Sequence, residues 1–381
     1  MPAMIDPLRR QAIATGAAFL GLLTAACAST GNAQTNSPTP SQRERLRERL
    51  RQRRAAQKGA NEQAPPPDTP QGGISHPYAL PGAFAVEQLE DVWVNAARND
   101  RVIPWRAYLP AQKTNAPVVI YSHGGGGTRG SGAIYGQHLA SHGIASLHLQ
   151  HAGSDRDAFR TDPQQISAAA RDPKAGLPRF EDVGYAAARL AQAPGALLGR
   201  IDAARMGIAG HSFGAITTQI IAGQMVSGFG QGLALPNLLG AFALSPSPPR
   251  AGYGDAETAF TDMLLPIFHL TGTKDDAPNG DFDAPARRIP FDRTNNVDQY
   301  LLILEGANHF TFGGEANPRL GPRDFGYPGL PRHHQLILVA AAAFWLERFE
   351  KDAKARGFLR AGGYAALLGA DDVFERKEAK K

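Results

Sequence analysis

Short apolar runs alternate along this chain with stretches of helical period, and that alternation restricts the fold more than any other feature. Val92-Trp93-Val94 and Val102–Tyr108 read as two antiparallel strands joined through a turn at Asn99-Asp100. Pro117–Tyr121 is a β-branched run leading into Gly124-Gly125-Gly126-Gly127, and it reads as a buried parallel strand. A helix is expected over Ala133–His142, a strand over Ile144–Leu149 and a second helix over Phe180–Gln192. Arg205–Gly210 reads as the next strand, followed by a helix to about Met225. Leu239–Leu244, Ile267–Leu270 and Tyr300–Leu304 supply three more strands, and an apolar helix runs from His334 to Phe349. Strands and helices in alternation predict an α/β fold, a mostly parallel central sheet with helices on both faces. No internal repeat at solenoid periods interrupts that pattern.

The ends of the chain read differently. Arg9-Arg10 precede an apolar run from Ala12 to Ala26, too short for a membrane span and of the length of a signal-peptide core. Residues 1–33 are therefore expected to be an export signal of twin-arginine-like form. Thr24-Ala25-Ala26-Cys27 reads as a lipoprotein cleavage box, which implies membrane anchoring through a lipidated Cys27; ordinary cleavage after Ala33 is the alternative. Residues 34–75 read as a disordered Arg/Pro-rich tether, because Leu46 and Leu50 are too few to bury a core. A catalytic domain over 76–352 and a helical tail over 353–381 complete the expected organisation.

Charge and cysteine content exclude several classes. Residues 1–75 carry the whole net charge of +5, and the rest of the chain, with 30 basic and 30 acidic residues, is neutral. Nothing in that balance suggests nucleic-acid binding. One cysteine, Cys27, rules out an intrachain disulfide and a zinc site built on several thiolates. His148, His151 and Asp155 cluster near a strand end but lack helical metal-ligand spacing, so they are expected to belong to a pocket-lining loop; no metal or cofactor is expected. Arg156 and Arg160 in that loop read as solvated, and residues 150–178 read as part of a lid.

Gly210-His211-Ser212-Phe213-Gly214 has the form G-x-S-x-G between an expected strand and an expected helix. That context turns a common pattern into a nucleophile elbow, a tight turn that lifts the serine hydroxyl above the sheet. A serine needs a base, because its free hydroxyl is a poor nucleophile at neutral pH. Of the downstream histidines, His269 lies within an apolar strand and reads as core, while His333 and His334 open a helix and read as surface residues. His309, in a loop after Tyr300–Leu304, is the expected base. The acid should follow the preceding strand, where Asp275 and Asp276 compete; the spacing Gly272-Thr273-Lys274-Asp275 favours Asp275. The backbone N–H groups of Phe213 and Gly125 are the expected oxyanion donors.

These residues resemble those of the α/β-hydrolase superfamily, closest to bacterial relatives of dienelactone hydrolase and platelet-activating-factor acetylhydrolase. The matching stretches are Tyr121–Gly127, Leu149–Asp155, Gly210–Gly214, Leu270–Asp276 and Gly306–Phe310, spread over roughly 91–349. The resemblance implies cleavage of small-molecule or lipid esters through an acyl-enzyme, without a cofactor. Dienelactone hydrolases use a cysteine where this chain has Ser212, so their substrate is not carried over. A peptidase or amidase of the same fold, and a silent envelope-binding protein on the same scaffold, are the competing expectations.

Overall fold

The computed structural model describes residues 73–192, 195–250, 252–314 and 329–380. The expected export signal, Cys27 and the tether up to residue 72 lie outside the described residues. The described chain is already engaged at Ile74, whose N–H donates to Gln335 Oε1 at 2.9 Å.

The strands are β1 (Val86–Asn95), β2 (Arg101–Pro110), β3 (Ala116–Ser122), β4 (Ala145–Leu149), β5 (Ile201–His211), β6 (Ala241–Leu244), β7 (Ile267–Lys274), β8 (Gln299–Asn308) and β9 (Val373–Lys377). They form one sheet in the order β1-β2-β4-β3-β5-β6-β7-β8-β9. The six strands from β4 to β8 are mutually parallel, and β1, β2 and β9 add antiparallel edges. β1 and β2 pair from Val86↔Pro110 to Asn95↔Arg101. The turn between them uses Asn99 and Asp100 at φ 52° and 55°, a conformation that these two residue types tolerate better than most.

The helices are α1 (Ala133–Ser141), α2 (Arg156–Thr161), α3 (Pro163–Ala169), α4 (Pro173–Ala191), α5 (Phe213–Ile221), α6 (Ile289–Arg293), α7 (Leu330–Glu350) and α8 (Ala353–Arg360). They cover the sheet on both sides, and β3 shows why. Val118 and Ile120 pack in one core with Val183, Ala186 and Leu190 of α4. Val119 and Tyr121 point the other way, into a core with Leu139 of α1 and Leu336, Phe344 and Trp345 of α7. Alternate residues of a strand face opposite sides, so a strand covered on both must be apolar throughout. Every residue of β3 is buried.

Three local expectations are corrected. The second helix begins at Pro173 rather than Phe180: Asp172 caps it, accepting from Lys174 N–H, and Pro178 is carried within the early turns. The tail is helical over α8 and a 3-10 turn at Ala365–Leu367 but not throughout, since Val373–Lys377 pairs antiparallel with Gln299–Ile303 and closes the sheet edge. His333 and His334 are not surface residues. His333 is buried and His334 donates through Nε2 to the Thr311 carbonyl at 3.1 Å, because the start of α7 packs on the segment after β8.

From β3 the chain steps to β4 on one side and then crosses to β5 on the other. The crevice beyond the carboxyl ends of β3 and β5 is thus a topological switch point, where open α/β sheets leave room for a ligand.

Candidate active site

β5 runs into α5 through one non-helical residue, Ser212, at φ 58° and ψ −116°. Its N–H donates to the Leu244 carbonyl at 3.0 Å, which ties the turn to β6. The turn closes only because its flanks lack side chains. A Cβ on Gly210 would strike the Gly214 carbonyl, and a Cβ on Gly214 would strike the Ser122 carbonyl at the end of β3. Ser212 therefore sits at the switch point, ahead of the positive end of α5.

The structure brings three of the expected residues together. Ser212 Oγ lies 2.8 Å from His309 Nε2. His309 Nδ1 lies 2.8 Å from Asp275 Oδ1. Thr271 Oγ1 donates to Asp275 Oδ2 at 2.9 Å. Asp275 is buried and acceptor-only when ionised, so Nδ1 carries the proton and Nε2 is left to accept from Ser212. Each partner comes from the carboxyl end of a different parallel strand: Ser212 after β5, Asp275 after β7, His309 after β8. Asp276 points elsewhere, accepting from Ala284 N–H at 2.9 Å.

Burial pushes the His309 imidazole below its ordinary pKa; the Asp275 carboxylate works against that, and Arg287 and Arg250 reinforce it. The ring is thus neutral near pH 7 and able to take a proton. His211 is neutral too, held well below its ordinary value by burial and then by the neighbouring His309, and its Nε2–H donates to the His309 carbonyl at 2.9 Å.

Ser212 opens into a cavity of about 500 Å³. The glycine run, Phe213, Ile216, Ser247, Arg250, His309 and Phe310 contribute to its lining. Gly126 and Gly127 spend their N–H groups on the carbonyls of Ser154 and Gly124. The N–H groups of Gly125 and Phe213 meet no acceptor among the described residues, and both residues line the cavity beside Ser212. Phe159, Pro163 and Ile166 of α2 and α3 form one wall, so residues 150–178 do border the pocket. Arg156 belongs to that wall, while Arg160 is exposed outside it.

His148, His151 and Asp155 do not themselves line the cavity, although the stretch that follows them does, through Arg156, Phe159 and Ile166. His148 is buried between the Ser131 carbonyl and Ser146 Oγ, at 2.8 and 2.9 Å. Asp155 caps α2 through Ala158 N–H. His151 joins a second buried chain: its Nε2 lies 3.0 Å from Ser122 Oγ and its Nδ1 lies 3.1 Å from Asp182 Oδ2. Arg179 Nη2 donates to Ser122 Oγ at 2.9 Å and also reaches the His123 carbonyl. Arg98 and Arg101 bind Asp182 at 2.8 and 2.6 Å. His269, expected in the core, is fully buried in β7.

Sequence reasoning missed two arginines at the sites just described. Arg287, in the 3-10 segment Ala284–Arg288 that follows the loop after β7, lies against both Asp275 and His309. Arg179, on α4, stacks its guanidinium 4.5 Å from the Phe213 ring centroid. Neither carries a motif; a basic residue among apolar neighbours at a helical position is the only signal Arg179 gives. No family model matches the chain, and no curated protein matches it.

Proposed function

We propose that the chain is a serine hydrolase of the α/β-hydrolase superfamily that cleaves carboxylic esters through an acyl-enzyme. The observation that carries this reading is the unbroken chain Ser212–His309–Asp275, ending in a cavity beside two uncommitted backbone N–H groups. Ser212 Oγ attacks the acyl carbon while His309 Nε2 takes the hydroxyl proton. The carbonyl π bond opens, and the resulting oxyanion is met by the N–H groups of Phe213 and Gly125. The carbonyl re-forms, the bond to the leaving alkoxide breaks, and that alkoxide takes the proton from Nε2. Water then repeats the sequence: His309 removes its proton, the hydroxyl adds to the acyl carbon, and Ser212 leaves with the proton returned. Asp275 keeps Nδ1 protonated and stabilises the transient imidazolium without itself taking the proton.

A fluorophosphonate probe tests the reading directly. It should form one adduct, on Ser212, and the protein should turn over nitrophenyl esters of graded chain length. A protein that remains unlabelled and inactive would be the silent scaffold instead. Cleavage of amide but not ester substrates would make it a peptidase or amidase.

We also propose that the protein is exported and held at the membrane by a lipid on Cys27, on the strength of the apolar run after Arg9-Arg10 and the box that ends at that cysteine. Full-length protein should then fractionate with membranes, and Cys27→Ser should release it.

A further inference from the structure

Arg287 is almost fully buried, and a buried guanidinium must find partners for its five N–H groups. Nη1 donates to the carbonyls of Ser245 and Pro246 at 3.0 and 2.9 Å. Nε donates to the Asp275 carbonyl at 2.5 Å and lies 2.9 Å from that residue's Oδ1. Nη2 stands 3.0 Å from His309 Nδ1. That last contact is not a hydrogen bond in the working tautomer. Nδ1 gives its proton to Asp275, and a guanidinium has no lone pair to accept one, so two donors converge on one carboxylate.

Two consequences follow from this geometry. Asp275 has Oδ2 taken by Thr271 and Oδ1 shared by His309 and Arg287, so the carboxylate cannot rotate away from the imidazole. A fixed positive charge also lies against the ring that must become positive in the reaction.

We propose that Arg287 is a positioning residue of the Ser212 relay, locking the Asp275 carboxylate against His309 and setting a fixed positive charge against the ring that takes the serine proton. The role in turnover rests on the hydrolase reading above; the effect on His309 does not. Among the described residues, the titratable groups facing His309 are Asp275 just after β7, Arg287 from the 3-10 segment Ala284–Arg288, Arg250 from the loop after β6, and His211 from β5. Of these four, Asp275 alone is an acid. Burial and the two arginines act in one direction and the carboxylate in the other, and the net effect on His309 is downward. The arrangement extends the working range into acid and makes the imidazolium formed during attack somewhat less favourable.

The test is a side-chain nitrogen NMR titration of His309 in wild type, Arg287→Lys and Arg287→Gln, with the resonance assigned by its loss in His309→Asn. Circular dichroism checks folding, and Arg287→Met is a second neutral variant should glutamine not fold. Removing the charge should raise the pH at which His309 protonates by about one pH unit or more, whereas lysine should hold it near the wild-type value. The acid limb of kcat/KM on a nitrophenyl ester should move with it, losing activity at low pH first. Equal titration in wild type and the neutral variants would overturn the proposal, as would equal shifts with lysine and glutamine. If Ser212 takes no fluorophosphonate and no ester is turned over, the hydrolase reading fails, and the titration still decides what Arg287 does to His309.

Discussion

The molecule holds the same three side chains in the same bonding order twice. Ser212–His309–Asp275 and Ser122–His151–Asp182 each join serine Oγ to histidine Nε2 and histidine Nδ1 to an aspartate. Their surroundings separate them. Ser212 occupies a strained turn at a cavity wall, with free N–H groups beside it. Ser122 ends a buried strand, and the space a substrate would need is filled by the Arg179 guanidinium. In the first chain the arginine braces the acid and leaves the serine open. In the second, one arginine covers the serine and two more hold the acid. Hydrogen-bond order does not tell the two serines apart; access to the cavity and uncommitted neighbouring N–H groups do. The buried chain acts on the site indirectly, since Arg179 ties the His123 carbonyl, next to the glycine run, to the Phe213 ring.

The sharpest way to break this comparison is to delete the two serine hydroxyls. Ser212→Ala should reduce ester turnover to the ~10³–10⁴-fold enhancement over water that binding and the oxyanion site supply. Ser122→Ala should still label with fluorophosphonate and keep turnover within about tenfold of wild type, a loss of no more than the ~1.4 kcal/mol that a tenfold change represents. Equal losses in the two variants would make the buried chain part of the chemistry.

The acids should divide the same way. Asp275→Asn should lower kcat by about 10⁴, because the amide holds the wrong tautomer of His309. Asp182→Asn should instead destabilise the fold by at most about 3–5 kcal/mol, since it leaves the half-buried Arg98 and Arg101 and the buried Arg179 facing a neutral group. Denaturant melts and kcat, measured on both variants, give the two axes.

A third difference concerns acid. Burial pushes His148 and His269 down to about 3, and it pushes His151 down to about 4 against the pull of Asp182. Unfolded, each protonates near 6.5. Between those limits the unfolded chain binds more protons than the native one, so stability falls as pH drops below about 6.5 and keeps falling to about pH 3–4. Burial also pushes Asp182 up, but hydrogen bonds from Arg101 and His151 outweigh it and hold the carboxyl at about 2, so its own contribution is lost only below its ordinary 3.8. Thermal melts from pH 7 to 4 should show a steady fall in Tm, and His151→Gln should make that fall shallower. A flat profile over that range would remove the neutral buried histidines from the account.

The smallest expected effect belongs to the aspartate that competed for the acid's place. Asp276→Asn should leave activity within about twofold, as surface substitutions do. A loss matching that of Asp275→Asn would undo the assignment of the acid.

The sequence made the sheet and Ser212, His309 and Asp275 legible for one reason: each is marked locally. Glycines flank Ser212, and both partners follow apolar runs in the order the elbow requires. What stayed hidden depends on distant contacts. Ser122, His151, Arg179 and Asp182 come from β3, the loop after β4, and α4, and nothing in their spacing predicts that they meet. Arg287 follows Asp275 by 12 positions across an irregular loop, so no period links them. Val373–Lys377 is too short and polar to declare itself a strand until β8 lies beside it. His333 and His334 looked exposed because a helix start usually is; packing against distant segments covers them, His334 on the Thr311 carbonyl and His333 near Glu305 and Asp372.

The backbone at Ser212 also bears on how this position holds its residue over generations. A non-glycine residue at φ 58°, ψ −116° costs on the order of 1–3 kcal/mol, and glycine would relieve most of that strain. The cost is a sizeable share of the ~5–15 kcal/mol that keeps a typical domain folded. Selection for stability alone would favour glycine at position 212, a change two of serine's six codons reach by one nucleotide substitution. A lineage that kept the fold without needing the hydroxyl would therefore be expected to lose the serine before it lost His309 or Asp275, whose backbones lie outside the left-handed region. Position 212 is where relaxed selection would first become visible.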